Sequence, residues 1–327
     1  MIIRILSFLI ISFVSFSCNC EPVPSESDRT FTPSTFSPEE VFMKTVKGSS
    51  TMKELTESLT YTDQNGIKWK APAKTYTDGA SVPRTLLPFT NGRFDNRILG
   101  AAVVHDAYCQ EENKNRTPEQ YRKRPWQDVH RMFFEALLSG GTPRTLALGM
   151  FGAVWLAGPR WDDPDNEMTN VSQEMLSAGI EGGAKLVMDK KIQTTKQMED
   201  WLNARAPIIA RMSQLEKEGL KALERHDLTS SEKVQDKADK FLQKSLNKLP
   251  NDSVILNLKG TFYKNFGEKY KNQDMIEKSK EKLEISEKAF DKVLKIDSNN
   301  PNALDGKNSI KTLRTDSHNL IYVPPAR

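Results

Sequence analysis

Apolar and polar positions run along the 327-residue chain with two different periods. Between residues 60 and 75 the turn dipeptide Asn65-Gly66 is flanked by strand-forming Tyr61 and Trp69, which predicts a small β-hairpin. A loop, Thr77-Asp78-Gly79-Ala80-Ser81-Val82-Pro83-Arg84, follows it. From Ile98 to Cys109 the run Ile98, Leu99, Ala101, Ala102, Val103, Val104 has helix length and no internal breaker, so a mostly buried helix is expected. A second helix is predicted from about Trp126 to Leu138, stopped by Gly140-Gly141. A third, Thr145 to Leu156, is apolar nearly all round and closes at Gly158-Pro159-Arg160-Trp161.

Residues 162–205 are more polar, with helical patches and Gly182-Gly183, and read as a helical connector. From about Pro207 onward the chain is rich in lysine and glutamate, with apolar residues at helical spacing. Two stretches there are alike: Ala238, Leu242, Ser245 and Pro250 parallel Ser286, Phe290, Val293 and Ser298, and each leads into a helix carrying glycine, Gly260 or Gly306. This order of small, large, small and stop resembles the second helix of a tetratricopeptide repeat, while Leu256, Gly260 and Tyr263 resemble its first. Residues 213–235 are expected to form a degenerate earlier copy and 302–314 a closing helix. The fold class is therefore mainly α, a small α-rich domain with a short hairpin followed by a helical-hairpin module. The divisions fall at 1–17, 18–40, 41–161, 162–205, 206–316 and a tail, 317–327.

Composition changes the picture most at the N-terminus. Arg4 precedes the largely apolar stretch Ile5 to Phe16, the size of a signal-peptide core and too short to cross a bilayer. Small residues Ser15 and Ser17 suit cleavage that leaves Cys18 first, where lipidation would anchor the chain to a membrane; free secretion is the alternative. Residues 20–38, with Pro, Ser, Thr and acidic groups but few apolar anchors, read as a tether. Only Cys109 of the three cysteines falls inside the folded region, so packing must stabilise the core without disulfides. A net charge of +4 is too mild to imply nucleic acid.

Candidate chemistry centres on His105-Asp106, which ends the first apolar helix. Buried charge needs partners, so the pair is either structural, with Asp106 capping or bridging to Arg84, or a base beside a carboxylate that orients it or holds a cation. On the second helix, at 100° per residue, His130 lies within about 60° of Phe133, Phe134 and Leu137, whereas Asp128 points away from them. His130 therefore faces inward and Asp128 faces water. The small-residue loop from Asp78 to Ser81 lets a ligand or cation approach the backbone closely. Cys109 shares a helical face with His105 and reads as a small buried residue, a metal ligand or a nucleophile; Ser81 has no glycine-elbow context for nucleophilic work.

Residues 60–161 resemble the DUF1353 family of bacterial and phage proteins through the Thr-Asp-Gly-Ala-Ser-Val-Pro-Arg loop, Ala101-Ala102-Val103-Val104-His105-Asp106 and His130-Arg131-Met132-Phe133-Phe134-Glu135-Ala136-Leu137. The layout is also similar to bacterial secreted phospholipases A2. That resemblance implies that His105 activates water and that Asp106 with the Asp78–Ser81 loop holds Ca²⁺. Where the lipase pattern has an orienting Asp, this chain has His130, so either Asp128 serves or His130 is a metal ligand. A set of Asp78, Asp106, His105 and His130 would suit Zn²⁺ better than Ca²⁺. Two functions follow as expectations: a metal-assisted ester hydrolase at the cell envelope carrying a protein-binding repeat module, or a non-enzymatic envelope adaptor in which the His-Asp pair is structural.

Overall fold

The computed structural model describes residues 34–80, 82–163, 168 and 170–315. The signal segment, Cys18, Ser81 and the tail after residue 315 lie outside them. The chain is mainly α: ten α-helices among the described residues follow six short strands.

The strands are β1 (Thr35–Ser37), β2 (Met43–Thr45), β3 (Lys53–Leu55), β4 (Leu59–Thr62), β5 (Lys68–Ala71) and β6 (Tyr76–Thr77). They form two antiparallel three-stranded sheets, ordered β1-β4-β5 and β2-β3-β6. The expected hairpin is β4-β5, with Leu59 opposite Ala71 and Tyr61 opposite Trp69. Asp63 fastens its turn: one carboxylate oxygen accepts from the Asn65 and Ile67 backbone N–H groups at 2.9 Å, the other from Trp69 Nε1 at 3.0 Å. Gly66 takes the positive φ the turn requires. Strand β1 falls within the stretch read from sequence as a tether. It pairs with β4 because Phe36 stacks on Tyr61 and its ring fills the space left by Gly100, an anchor that composition alone undervalues.

The helices are α1 (Asn96–Cys109), α2 (Trp126–Ser139), α3 (Arg144–Ala157), α4 (Gln173–Met188), α5 (Thr195–Asn203), α6 (Ala206–Glu224), α7 (Leu228–Lys248), α8 (Ser253–Lys271), α9 (Ile276–Ile296) and α10 (Pro301–Thr315). Helix α1 starts at Asp95, whose side chain accepts from the Arg97 N–H. Every residue of α1 from Ile98 to Cys109 is buried, which explains why its sequence shows no polar face. It lies between β4, β5 and β6 on one side and α2 on the other. One apolar core runs from Leu55 and Tyr61 through α1–α6 to Phe266 and Tyr270 of α8. In the C-terminal helices small residues receive large ones: a methyl at Gly260 of α8 or Gly306 of α10 would overlap the Phe290 ring of α9. This is the small-and-large pattern visible in the sequence, turned into interhelical contact. No helix among the described residues is long and apolar enough to cross a membrane.

Candidate functional site

The site forms where α1 ends against β6 and α2. An i, i+1, i+4 spacing puts His105, Asp106 and Cys109 on the last turn and a half of α1. His105 is 6% exposed and Asp106 9%, so the pair has little access to water. His130, on the inward face of α2, is fully buried.

A hydrogen bond of 2.9 Å joins His105 Nε2 to His130 Nδ1. The far nitrogen of His130, Nε2, is buried and has no hydrogen-bond partner, while the Pro159 backbone favours the protonated form of the ring. Of His105 Nε2 and His130 Nδ1 one donates and the other accepts, so the tautomers of the two rings are coupled. Burial, followed by the charges of His105 and Arg160, holds the His130 imidazole well below its usual range and therefore neutral. The α3 terminus fixes the ring from behind: a Cβ on Gly158 would lie 2.7 Å from His130 Nε2.

Asp106 is held with similar economy. Thr77 Oγ1 donates to Asp106 Oδ2 at 2.6 Å and accepts from the Gly79 N–H at 3.0 Å. Oδ1 faces His105 Nδ1 at 3.5 Å. Asn113 Nδ2 donates to the backbone carbonyls of Asp106 and Tyr76, both at 2.8 Å, and its Oδ1 accepts from the Tyr76 N–H. These bonds stitch β6 to α1. Burial raises the Asp106 carboxyl, opposed by His105 and by the Thr77 hydrogen bond. Burial likewise pushes the Cys109 thiol well up. Its sulfur lies 3.4 Å from His105 Nδ1 and 3.8 Å from Nε2, beside the ring.

The structure brings together His105, Asp106 and His130, and adds Cys109. Asp78 stays apart: its side chain is 46% exposed and pairs with Arg93 at 3.5 Å. The loop it belongs to is nevertheless held close by Gly79, whose φ of +82° and 2.6 Å Cβ clearance from the Arg93 carbonyl admit no side chain. Asp128 is exposed and faces Arg131. Arg84 does not meet Asp106. Its guanidinium pairs with Asp305 and Asn302 of α10, and its backbone N–H donates to buried Glu181 of α4 at 2.8 Å. The Thr85 N–H and hydroxyl also donate to Glu181, so one carboxylate from α4 caps the short 3-10 turn Arg84–Phe89 that follows the loop. Thr77, Asn113 and Glu181 escaped the sequence reading. Thr77 sits inside the recognised loop and could have been found there, whereas Glu181 lies 97 positions from Arg84 and carries no local signal.

Fold and site together define a mainly helical domain with a paired His-Asp centre at the end of a buried helix. Residues 53–154 match the family model described as "Protein of unknown function (DUF1353)". Two proteins of Sinorhizobium fredii are similar to this chain. The uncharacterized protein y4iH is 34% identical over 116 residues, 36% of this chain and 44% of that protein. The uncharacterized protein y4jT is 37% identical over 108 residues, 33% of this chain and 29% of that protein. The chain thus spans less than half the length of the curated relatives it matches. No solved structure matches.

Proposed function

We propose that this protein is an exported, lipid-anchored ester hydrolase of the bacterial envelope, with its chemistry at the end of α1 and a tetratricopeptide-like protein-binding surface on α6–α10. The observation that carries the reading is the buried chain of His130, His105 and Asp106, with His105 Nε2 2.9 Å from His130 Nδ1 and His105 Nδ1 3.5 Å from Asp106 Oδ1. In hydrolysis the His105 imidazole takes the proton of an attacking water, while neutral His130 and Asp106 hold the resulting imidazolium. His130 stands where an orienting carboxylate stands in the lipase pattern. It can fix the tautomer but contributes no charge, so Asp106 alone supplies the negative partner. A divalent ion bound beside these groups would polarise the ester carbonyl. Calcium suits the donors poorly, since imidazole and thiol line the space and Asp78 is paired elsewhere; no step is assigned to it. Export and anchoring rest on Arg4–Phe16 and Cys18, which lie outside the described residues.

The rival reading, an envelope adaptor with a structural His-Asp pair, is favoured by the low exposure of that pair. Hydrolysis of short-chain esters and of phospholipid vesicles by the purified protein separates the two. For an enzyme, His105→Ala abolishes turnover while the melting temperature stays within a few degrees. Absence of turnover in the wild type, with His105→Ala only lowering the melting temperature, decides for the adaptor.

A further inference from the structure

Three donors of unlike chemistry end α1, an imidazole, a carboxylate and a thiol, and one ligating atom of each lies within 4.8 Å of the other two. Each of the first two has its second hydrogen-bonding position already occupied. His105 has Nε2 bonded to His130, leaving Nδ1; Asp106 has Oδ2 held by Thr77, leaving Oδ1. Ligands of metal sites are oriented in this way, with an outer partner fixing the atom that does not bind.

The distances agree. Ligand bonds of 2.0–2.3 Å at tetrahedral angles place neighbouring donors about 3.3–3.6 Å apart. Here His105 Nδ1 is 3.5 Å from Asp106 Oδ1 and 3.4 Å from Cys109 Sγ. The sulfur is nearly as close to Nε2, at 3.8 Å, so it lies beside the ring and not along the Nδ1 lone pair, and ligation requires the Cys109 side chain to turn. By contrast, the Nε2–Nδ1 separation of 2.9 Å between the two histidines is a hydrogen bond, too short to hold an ion between them.

We infer that His105 Nδ1, Asp106 Oδ1 and Cys109 Sγ bind one transition-metal ion of the zinc class, with His130 and Thr77 as their outer partners. A nitrogen, oxygen and sulfur set selects such an ion over calcium or magnesium, which take oxygen. Binding displaces the thiol proton of Cys109 to solvent, so the ligand is a thiolate. Three protein ligands leave a fourth position open, as in hydrolytic zinc sites. The inference deepens the hydrolase reading and rests on it only for the use made of the ion. A bound ion would take His105 Nδ1 as a ligand and would itself activate the water, in place of the imidazole.

Cobalt(II) is the probe. The full chain, dialysed against cobalt and then freed of excess, is expected to retain one ion and to show the visible bands of a tetrahedral centre with a near-ultraviolet thiolate-to-cobalt band. Zinc should displace the cobalt, and calcium should not. Cys109→Ser should lose the thiolate band. His130→Gln should keep it but weaken zinc binding about 10- to 100-fold. Cys18 and Cys20 are the other thiols. If Cys109→Ser fails to fold by circular dichroism, the double variant Cys18→Ser, Cys20→Ser serves instead and must keep the band. Folded wild type without the band, a band that survives Cys109→Ser, or displacement by calcium overturns the inference. If the cobalt signature is present and ester turnover absent, the metal site stands and the hydrolase reading falls. If the cobalt signature is absent and ester turnover intact, the metal site falls and the hydrolase reading stands.

Discussion

His105 of α1 and His130 of α2 share a hydrogen bond of 2.9 Å between two buried imidazoles, with Gly158 closing against the second ring. Each histidine fixes the other's tautomer, and neither could do so from its own helix.

Replacing His130 by Phe keeps a ring in the space but leaves His105 Nε2 without its partner. The expected cost is about 1–3 kcal/mol of stability, the desolvation of one unmet polar group. Gly158→Ala tests the same contact without touching either histidine, since its methyl would press on His130 Nε2 and the Val154 carbonyl. Urea denaturation and ester turnover on both variants are the measurements, and Gly158→Ala should lower turnover proportionally more than stability.

Glu181 is the link between the loop and the helices behind it. Its carboxylate is buried and takes three donors from Arg84 and Thr85. Glu181→Ala leaves those donors unmet and should destabilise the protein by about 3 kcal/mol. Hydrogen exchange should quicken at the Arg84 and Thr85 amides while the amides of α1 stay protected.

Glu216 on α6 gives a pH dependence. Burial pushes its carboxyl up to about 7, against the hydrogen bond it accepts from Asn265. The folded state therefore keeps a proton that the unfolded chain releases above about pH 4.3, so stability falls as pH rises from there to about 7 and is level above it. Glu216→Gln should flatten that slope and gain on the order of 3 kcal/mol at about pH 8 relative to wild type. Urea midpoints at about pH 5 and pH 8 check the sign.

Cys18 carries the localisation proposal. Cys18→Ser should abolish labelling by a radioactive fatty acid and move the protein from the membrane fraction to the soluble one, with its ester turnover unchanged. Labelling that persists in the variant would count against Cys18 as the anchor.

The segments legible in the sequence were those set by local rules. The β4-β5 hairpin follows from Asn65-Gly66 and its flanking aromatics, and the three helices α1, α2 and α3 follow from apolar runs, the last two ended by glycine. Within the site, the inward face of His130 and the outward face of Asp128 are consequences of helical period alone. The His105-Asp106 pair stood out because adjacent ionisable groups at the end of an apolar run demand partners.

What those partners are was decided only by the tertiary structure. Nothing local selects Thr77 over Arg84 as the group that meets Asp106, or sends Arg84 to Asp305 and Glu181 instead. The approach of His130 to His105, and the separation of Asp78 from the pair, likewise depend on how α2 and β6 lie against α1. A chain's periodicity determines which face of a helix is buried, because burial is a property of one element. Which donor meets which acceptor depends on the distance between elements, and that is settled only when they pack.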